Sequence, residues 1–178
     1  MRKIEVMVDI ETHDTAPTAV ILSIGAAAMD MINLEVIDTF YVNVDPADCL
    51  RLGLTQSAST LEWWEGQSDE AKSRLLAPEP KPLRNALVDF LNWRSSKHNA
   101  LAYWGNGANF DNVILANAHK AAEVRGWEFW RDRCHRTMKT LYAGQCSHID
   151  RNGVHHNAVD DAVFQAEQLL AILRSQRG

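Results

Sequence analysis

Ile4-Glu5-Val6-Met7-Val8-Asp9-Ile10-Glu11-Thr12 has the period of a β-strand: Ile4, Val6 and Val8 alternate with Glu5, Met7 and Asp9. On a strand, residues two apart share a face, so Asp9 and Glu11 project to the same side. Two carboxylates held side by side repel each other unless a cation lies between them. Hard oxygen ligands of this kind suit Mg²⁺ or Mn²⁺. The plainer alternative is an edge strand that displays charge to solvent, because a D-x-E pair recurs by chance.

Outward from this strand, apolar or alternating runs at Val20 to Met29 and Val36 to Val44 predict two more strands, joined to the first by short turns as an antiparallel meander. Asn33 marks one turn, and Asp45-Pro46-Ala47-Asp48 ends the third strand. Ser59 with Glu62 forms a capping-box pattern for a short helix, Ser68-Asp69-Glu70 starts another, and Lys81 to Ser95 gives a longer amphipathic one. Ala100 to Trp104 reads as a short buried strand. Asn109 to Glu123 reads as a helix carrying Asp111 in its first turn, where a strand end would gather ligands. Trp127 to Gln145 is the least regular stretch, with room for a fifth strand and another helix. It combines Trp127, Phe129 and Trp130 with the basic residues Arg131, Arg133, Arg136 and Lys139. No linker, repeat or low-complexity tract divides the 178 residues, so one domain over residues 1–178 is expected.

Near the C-terminus the chain reads His156-Asn157-Ala158-Val159-Asp160-Asp161-Ala162. Asn157 can cap a helix whose apolar residues Val163, Ala166, Leu169, Leu170 and Leu173 recur at helical spacing. Asp160 and Asp161 then fall in its first turn, where carboxylates are favoured by the helix dipole. For one of the two, that interaction is the whole account. His156, on the loop entering the helix, has an ordinary pKa near neutrality, as a general base acting on water requires.

These blocks together resemble the DEDDh 3′→5′ exonucleases, whose pattern is D-x-E on the first strand, a mid-chain aspartate, and H-x-A-x-x-D-A at the last helix. Asp9-Ile10-Glu11 matches the first, Asn109-Phe110-Asp111 the second, and His156 to Ala162 the third, in a register that selects His156 and Asp161 over His155 and Asp160. The segment Ser59-Thr60-Leu61-Glu62-Trp63-Trp64-Glu65-Gly66-Gln67-Ser68-Asp69-Glu70-Ala71 is further similar to a branch that includes phage exonuclease A and mycobacterial exoribonuclease-like proteins.

The resemblance implies an RNase H-like α/β fold, with a central mixed sheet of about five strands, the first three antiparallel, flanked by helices. It implies a 3′→5′ exonuclease acting on a free 3′ end of single-stranded DNA or RNA and releasing a nucleoside 5′-monophosphate. Two Mg²⁺ (or Mn²⁺) ions would be held by Asp9, Glu11, Asp111 and Asp161, with His156 taking the proton of the attacking water. Thr12 is implied to donate to the terminal 3′-hydroxyl. The resemblance also raises a homodimer in which a basic patch of one subunit serves the site of the other.

Other residues carry two readings each. Adjacent helical residues point about 100° apart, so Trp63 and Trp64 cannot both face one pocket, and one of them could stack on the terminal base. Phe110 is a stacking candidate or a core residue at helical spacing with Val113 and Ile114. Asn109 is a helix cap or a donor to substrate. Cys134-His135 and Cys146-x-His148 raise a zinc alternative, although three cysteines, Cys49 included, without framework spacing suit reduced thiols.

A net charge of −5 argues against a general nucleic-acid coating protein, which would normally carry a basic stripe. Four of the acids are the proposed ligands, so attraction for phosphate would come from bound metal and a few local cations. Met1-Arg2-Lys3 leads into a strand containing acids, unlike a signal peptide, and no apolar run approaches membrane-spanning length, so a cytoplasmic enzyme is expected. The main alternative is a catalytically silent RNase H-like module that binds nucleic acid or a protein partner.

Overall fold

The computed structural model describes residues 2–177. Strand β1 (Ile4–Thr12) is the middle of a five-stranded sheet of order β3-β2-β1-β4-β5. It pairs antiparallel with β2 (Ile21–Asp30), which pairs antiparallel with β3 (Glu35–Asn43). On its other side it pairs parallel with β4 (Tyr103–Gly105), and β4 with β5 (Asp132–Cys134). The D-x-E strand is therefore central, not an edge.

The alternation of β1 separates two cores. Ile4, Val6, Val8 and Ile10 face a cluster with Leu83, Leu87, Phe90, Ile114 and Leu115, whereas Met7 faces Ala27, Met29, Ala166, Leu169 and Leu170. Asp9 and Glu11 share the parity of Met7 and so lie on the second face. Each fully buried Leu or Phe side chain contributes about 1.5–3 kcal/mol. Those from both faces hold the sheet between its two helical layers.

The first layer contains α1 (Pro46–Arg51), α2 (Ala58–Glu65), α3 (Asp69–Arg74) and α4 (Leu83–Leu91), the last continuing as a π-helical turn, Asn92–Lys97. Helix α5 (Asp111–Ala121) follows β4. After β5 come α6 (His135–Leu141), α7 (Ala143–Cys146) and α8 (Ala158–Ser175). None of the described helices is long and apolar enough to cross a membrane.

Several local expectations shift. Asp45 does not merely end β3; its carboxylate accepts from the Ala47 N–H and starts α1. The cap of α2 is Ser57, which accepts from the Thr60 N–H at 3.3 Å, and not Ser59. Ser68 and Asn157 cap α3 and α8 as their sequences require. The cap position of α5 is Phe110, with no side-chain cap, so Asn109 does not cap that helix. The β1–β2 connection is also longer than a tight turn, spanning residues 13–20.

Two glycines bring the functional helices against the strand ends. Gly25 is the cross-strand partner of Asp9, and a Cβ there would fall 2.0 Å from the Ala158 carbonyl carbon. The start of α8 is thus seated on the sheet beside Asp9. Gly105, paired with Val8, would place a Cβ 3.1 Å from the Asp111 carboxylate and 2.3 Å from Asn112 Oδ1. Asn112 fixes the start of α5 by donating to the Tyr103 carbonyl at 3.1 Å and to Asp132 at 2.8 Å.

Candidate active site

The ends of β1, β4, α5 and α8 meet at one cleft of about 200 Å³, lined by Asp9, Glu11, Asn106, Phe110, Asp111, Arg136, His156 and Asp161. β1 contributes Asp9 and Glu11 from one face, α5 contributes Asp111 from its first turn, and α8 contributes Asp161 from its own. Ligand atoms of Glu11, His156 and Asp161 lie within 4.8 Å of one another. The structure thus brings together residues that are far apart in sequence.

Asp9 and the two α8 aspartates are each positioned by a distinct contact. Asp9 Oδ1 accepts from Gln165 Nε2 at 2.7 Å, a residue one helical turn beyond Asp161 on the same face of α8. Asp161 Oδ2 accepts the His156 N–H at 3.2 Å, while its Oδ1 pairs with the Arg151 guanidinium. Asp160 points elsewhere and accepts the Val154 N–H at 2.8 Å, tying down the loop before His156. His156 itself has φ +61°, the left-handed region that a non-glycine residue adopts at a cost of about 1–3 kcal/mol.

Electrostatically the cleft concentrates like charge. Asp9, Glu11 and Asp111 enter no ion pair among the described residues. Burial, then the charges of Asp111 and Glu11, holds the Asp9 carboxyl well above its ordinary range, against the Gln165 hydrogen bond and Arg151. Burial and the Asp111 charge push Glu11 up to about 8. Burial raises Asp111 to about 7, against the N–H groups of Asp111, Ile10 and Asn106 and the charge of Arg136. Such carboxylates accept a proton or a metal, and four convergent carboxylates fit a hard divalent cation. His156 is shifted the other way: burial, then the charges of His155 and Arg151, lowers its pKa, leaving the imidazole neutral and able to accept a proton at neutral pH.

The two tryptophans separate. Trp64 is buried and its indole N–H donates to the Thr12 carbonyl at 2.8 Å. Trp63 is 44% exposed, with its ring edge-on to His156 at 4.7 Å. Phe110 lines the cleft. The Thr12 hydroxyl, assigned from the resemblance to the substrate, here donates to the Asp14 carbonyl at 2.7 Å. Asn109 is exposed beside Gly107, and Asn106 lines the cleft in its place. Arg136, one of the basic run, is held over the cleft by a 2.7 Å bond to the Asn106 carbonyl.

Arg151 and Gln165 join the site without belonging to any of its sequence motifs. Gln165 has a legible signal, its i+4 spacing from Asp161; Arg151 has none, because only the loop path brings it inward. Cys49, Cys134 and Cys146 are free thiols, and His135 is buried against Gln168 at 3.2 Å.

Residues 4–173 match a protein-family model described as the 3′-5′ exoribonuclease Rv2179c-like domain. No curated protein matches the sequence. Among solved structures, the nuclease domain of 3′hExo, a DEDDh family member bound to rAMP, superposes with a TM-score of 0.68 at 14% identity over 98% of this chain and 93% of that one. Exonuclease I aligns with a TM-score of 0.66 at 14% identity over 97% of this chain and 42% of the larger protein. Exonuclease X in complex with 5′ overhanging duplex DNA gives 0.58 at 15% identity, over 97% and 93%. At these identities the likeness is one of fold.

Proposed function

We propose that this chain, which belongs to the Rv2179c-like 3′-5′ exoribonuclease family and is a 3′-5′ exonuclease of the DEDDh type, trims single-stranded RNA in preference to DNA from a free 3′ end. Supporting the RNA preference is the description of the family; a chain that reads ribose needs only one contact to a 2′-hydroxyl. The single observation that carries the site assignment is the convergence of Asp9, Glu11, Asp111, Asp161 and His156 at one cleft, with three of the acids lacking a counter-ion among the described residues.

Enzymes of this type depend on divalent metal. Asp9, Glu11 and Asp161 would hold one Mg²⁺ or Mn²⁺ ion, and Asp111, with Asp9, would support a second. When bound, the pair supplies Lewis-acid chemistry: it acidifies water and neutralises charge at the departing 3′ oxygen. The chain supplies the rest. His156 accepts the proton of the attacking water, its neutral form maintained by burial and by nearby cations. Asp161 orients His156 through its main-chain N–H. Arg136 lies where it can meet a phosphate oxygen, and Phe110 and Trp63 offer apolar surfaces to the terminal base. Trp64 braces the end of β1. The product is a nucleoside 5′-monophosphate. The whole chain acts as one cytoplasmic catalytic domain, and pairing into a homodimer is testable by light scattering.

The decisive assay incubates the protein with Mg²⁺ or Mn²⁺ and matched 5′-labelled single-stranded RNA and DNA, each with free or blocked 3′ ends, beside Asp9→Ala. A ladder that shortens only from free 3′ ends, faster on RNA and absent in the variant, is expected. Equal rates on both sugars would remove the RNA preference, and cleavage of 3′-blocked strands would remove the exonuclease polarity. His156→Ala should keep metal affinity while losing turnover; lost metal affinity would make His156 a ligand instead of the base.

A further inference from the structure

We propose that Arg151 is a tethered counter-cation that competes with the metal for Asp161, so that a divalent ion completes its ligand set only by displacing the guanidinium. The inference rests on the metal-binding reading of the cleft given above. Arg151 Nη2 pairs with Asp161 Oδ1, one of the oxygens that reading gives to the metal. The guanidinium also lies 5.1 Å from the ring centroid of Phe164, one turn along α8 from Asp161. A positive group of the chain itself thus stands where the acids require a cation.

Its hold is incomplete. Arg151 Nε is buried and has no hydrogen-bond partner among the described residues, so the guanidinium does not satisfy its donors there. Arg94, a buried arginine elsewhere in the fold, likewise leaves Nε without a partner, but both of its Nη groups donate, to Tyr103 Oη and to the Arg125 carbonyl at 3.0 Å, and it lies against three aromatic rings, whereas Arg151 has Asp161 and one ring. A guanidinium cannot leave by losing its proton, so Arg151 can leave Asp161 only by moving.

The loop is built to let it move without disturbing the base. Residues 148–156 form neither helix nor strand. The segment is tied to α8 on the C-terminal side of Arg151, through Val154 N–H to Asp160 and His156 N–H to Asp161. On the other side, Ile149 N–H bonds the Cys146 carbonyl at 3.2 Å. Arg151 lies between these ties, so its side chain can swing while His156 stays in register. Displacement then lowers the apparent metal affinity, because a buried carboxylate that has lost one cation must gain another.

The test titrates Mn²⁺ by calorimetry, without nucleic acid, into the wild-type chain, Arg151→Gln and Phe164→Leu, with circular dichroism as the fold control. Arg151→Gln should bind Mn²⁺ roughly tenfold tighter, a difference equal to a typical partly buried ion pair. Phe164→Leu, which loosens the guanidinium and touches no ligand, should tighten binding by a smaller factor. Saturating Mn²⁺ should raise the melting temperature of Arg151→Gln more than that of the wild type. Affinity equal to or weaker than wild type in folded Arg151→Gln overturns the proposal; should that variant not fold, the same result in Phe164→Leu overturns it. If the wild type binds Mn²⁺ and neither variant binds it more tightly, only the role of Arg151 falls. If none of the three binds Mn²⁺, the metal-binding reading falls with it.

Discussion

Arg94 and the carboxylate cleft are both buried charged regions, and the fold treats them in opposite ways. Arg94 is 3% exposed and has no carboxylate partner among the described residues, yet both its Nη groups are hydrogen-bonded, with only Nε left over, and its guanidinium lies 5.8, 5.3 and 5.2 Å from the ring centroids of Phe90, Tyr103 and Trp127. Aromatic faces are worth about 2 kcal/mol or more to a desolvated cation. Asp9, Glu11 and Asp111 have no ion-pair partner among the described residues, and the Gln165 bond to Asp9 and the N–H groups around Asp111 offset burial only in part, so their carboxyls are driven toward the protonated form. A buried charge that the chain satisfies itself serves stability. A group of like charges that it leaves unsatisfied is built for something that arrives from outside.

The contrast is sharpest under mutation. Asp111→Asn, under the proposed assignment, should reduce 3′-end cleavage on the order of 10³-fold. It should leave the metal-free protein as stable as before or more so, because one of three repelling carboxylates is gone. Arg94→Met should do the reverse: it should lower the urea midpoint by an amount equivalent to about 2–4 kcal/mol while activity per folded molecule stays near wild type. A folded, metal-binding Asp111→Asn with normal turnover would break the comparison from one side. A stable but inactive Arg94→Met would break it from the other.

Acidity offers a second, smaller test. Glu11 and Asp111 titrate near 8 and 7 in the fold, far above their ordinary values of 4.5 and 3.8. A carboxyl raised in this way contributes stability that is complete below its unfolded pKa and is lost as pH rises through its folded one. His119 and His135, both lowered to about 4 by burial, act oppositely, but only below about pH 6.5. Between pH 7 and 8.5 the carboxylates therefore dominate. The metal-free protein should lose stability there, by up to about 1.4 kcal/mol per pH unit for each proton released. Metal affinity should rise across the same window, since ligands must deprotonate to bind. Denaturant melts with and without Mg²⁺ check both signs, and metal-free stability that rises with pH would contradict the raised carboxyls.

Local pattern and tertiary delivery divide the legible residues from the illegible ones in the same way. The strand period of Ile4 to Thr12, the Asn157 cap and the helical stripe of Val163 to Leu173 are local, and they suffice to put Asp9, Glu11 and Asp161 on their elements. Position in the sheet is not local. Nothing in β1 distinguishes a central strand from an edge until β4 pairs with it in parallel, and β5 at Asp132–Cys134 is only three residues long, too short to show a period. The starts of α2 and α5 differ from expectation because Ser57 and Ser59 have equal intrinsic preference for a cap, and because the Asn112 bonds to Tyr103 and Asp132, not Asn109, tie down the first turn of α5. Arg151 is illegible for the same reason: an arginine on a loop has no pattern, and its importance comes entirely from where the loop delivers it.

Trp63 and Trp64 repeat the comparison on adjacent residues, and their effects on catalysis should be the smallest. Trp64 is closed, its indole N–H spent on the Thr12 carbonyl and its ring in the core, so Trp64→Ala should cost about 3–5 kcal/mol of stability. Trp63 is open, with its ring against His156 and nearly half its surface exposed. Trp63→Ala should leave the melting temperature within a few degrees of wild type and raise KM for a short RNA, by the roughly 1–3 kcal/mol that stacking on one base supplies. The ring could instead act through His156, and the two roles leave different traces. A base-stacking residue moves KM and leaves the acidic limb of the kcat profile in place. A residue that shields His156 moves that limb upward, because removing its ring lets water reach the imidazole and relieves the burial that holds its pKa down. An unchanged KM with a shifted limb would transfer Trp63 from the substrate to the base, and would make the open side of the cleft part of the machinery that tunes it.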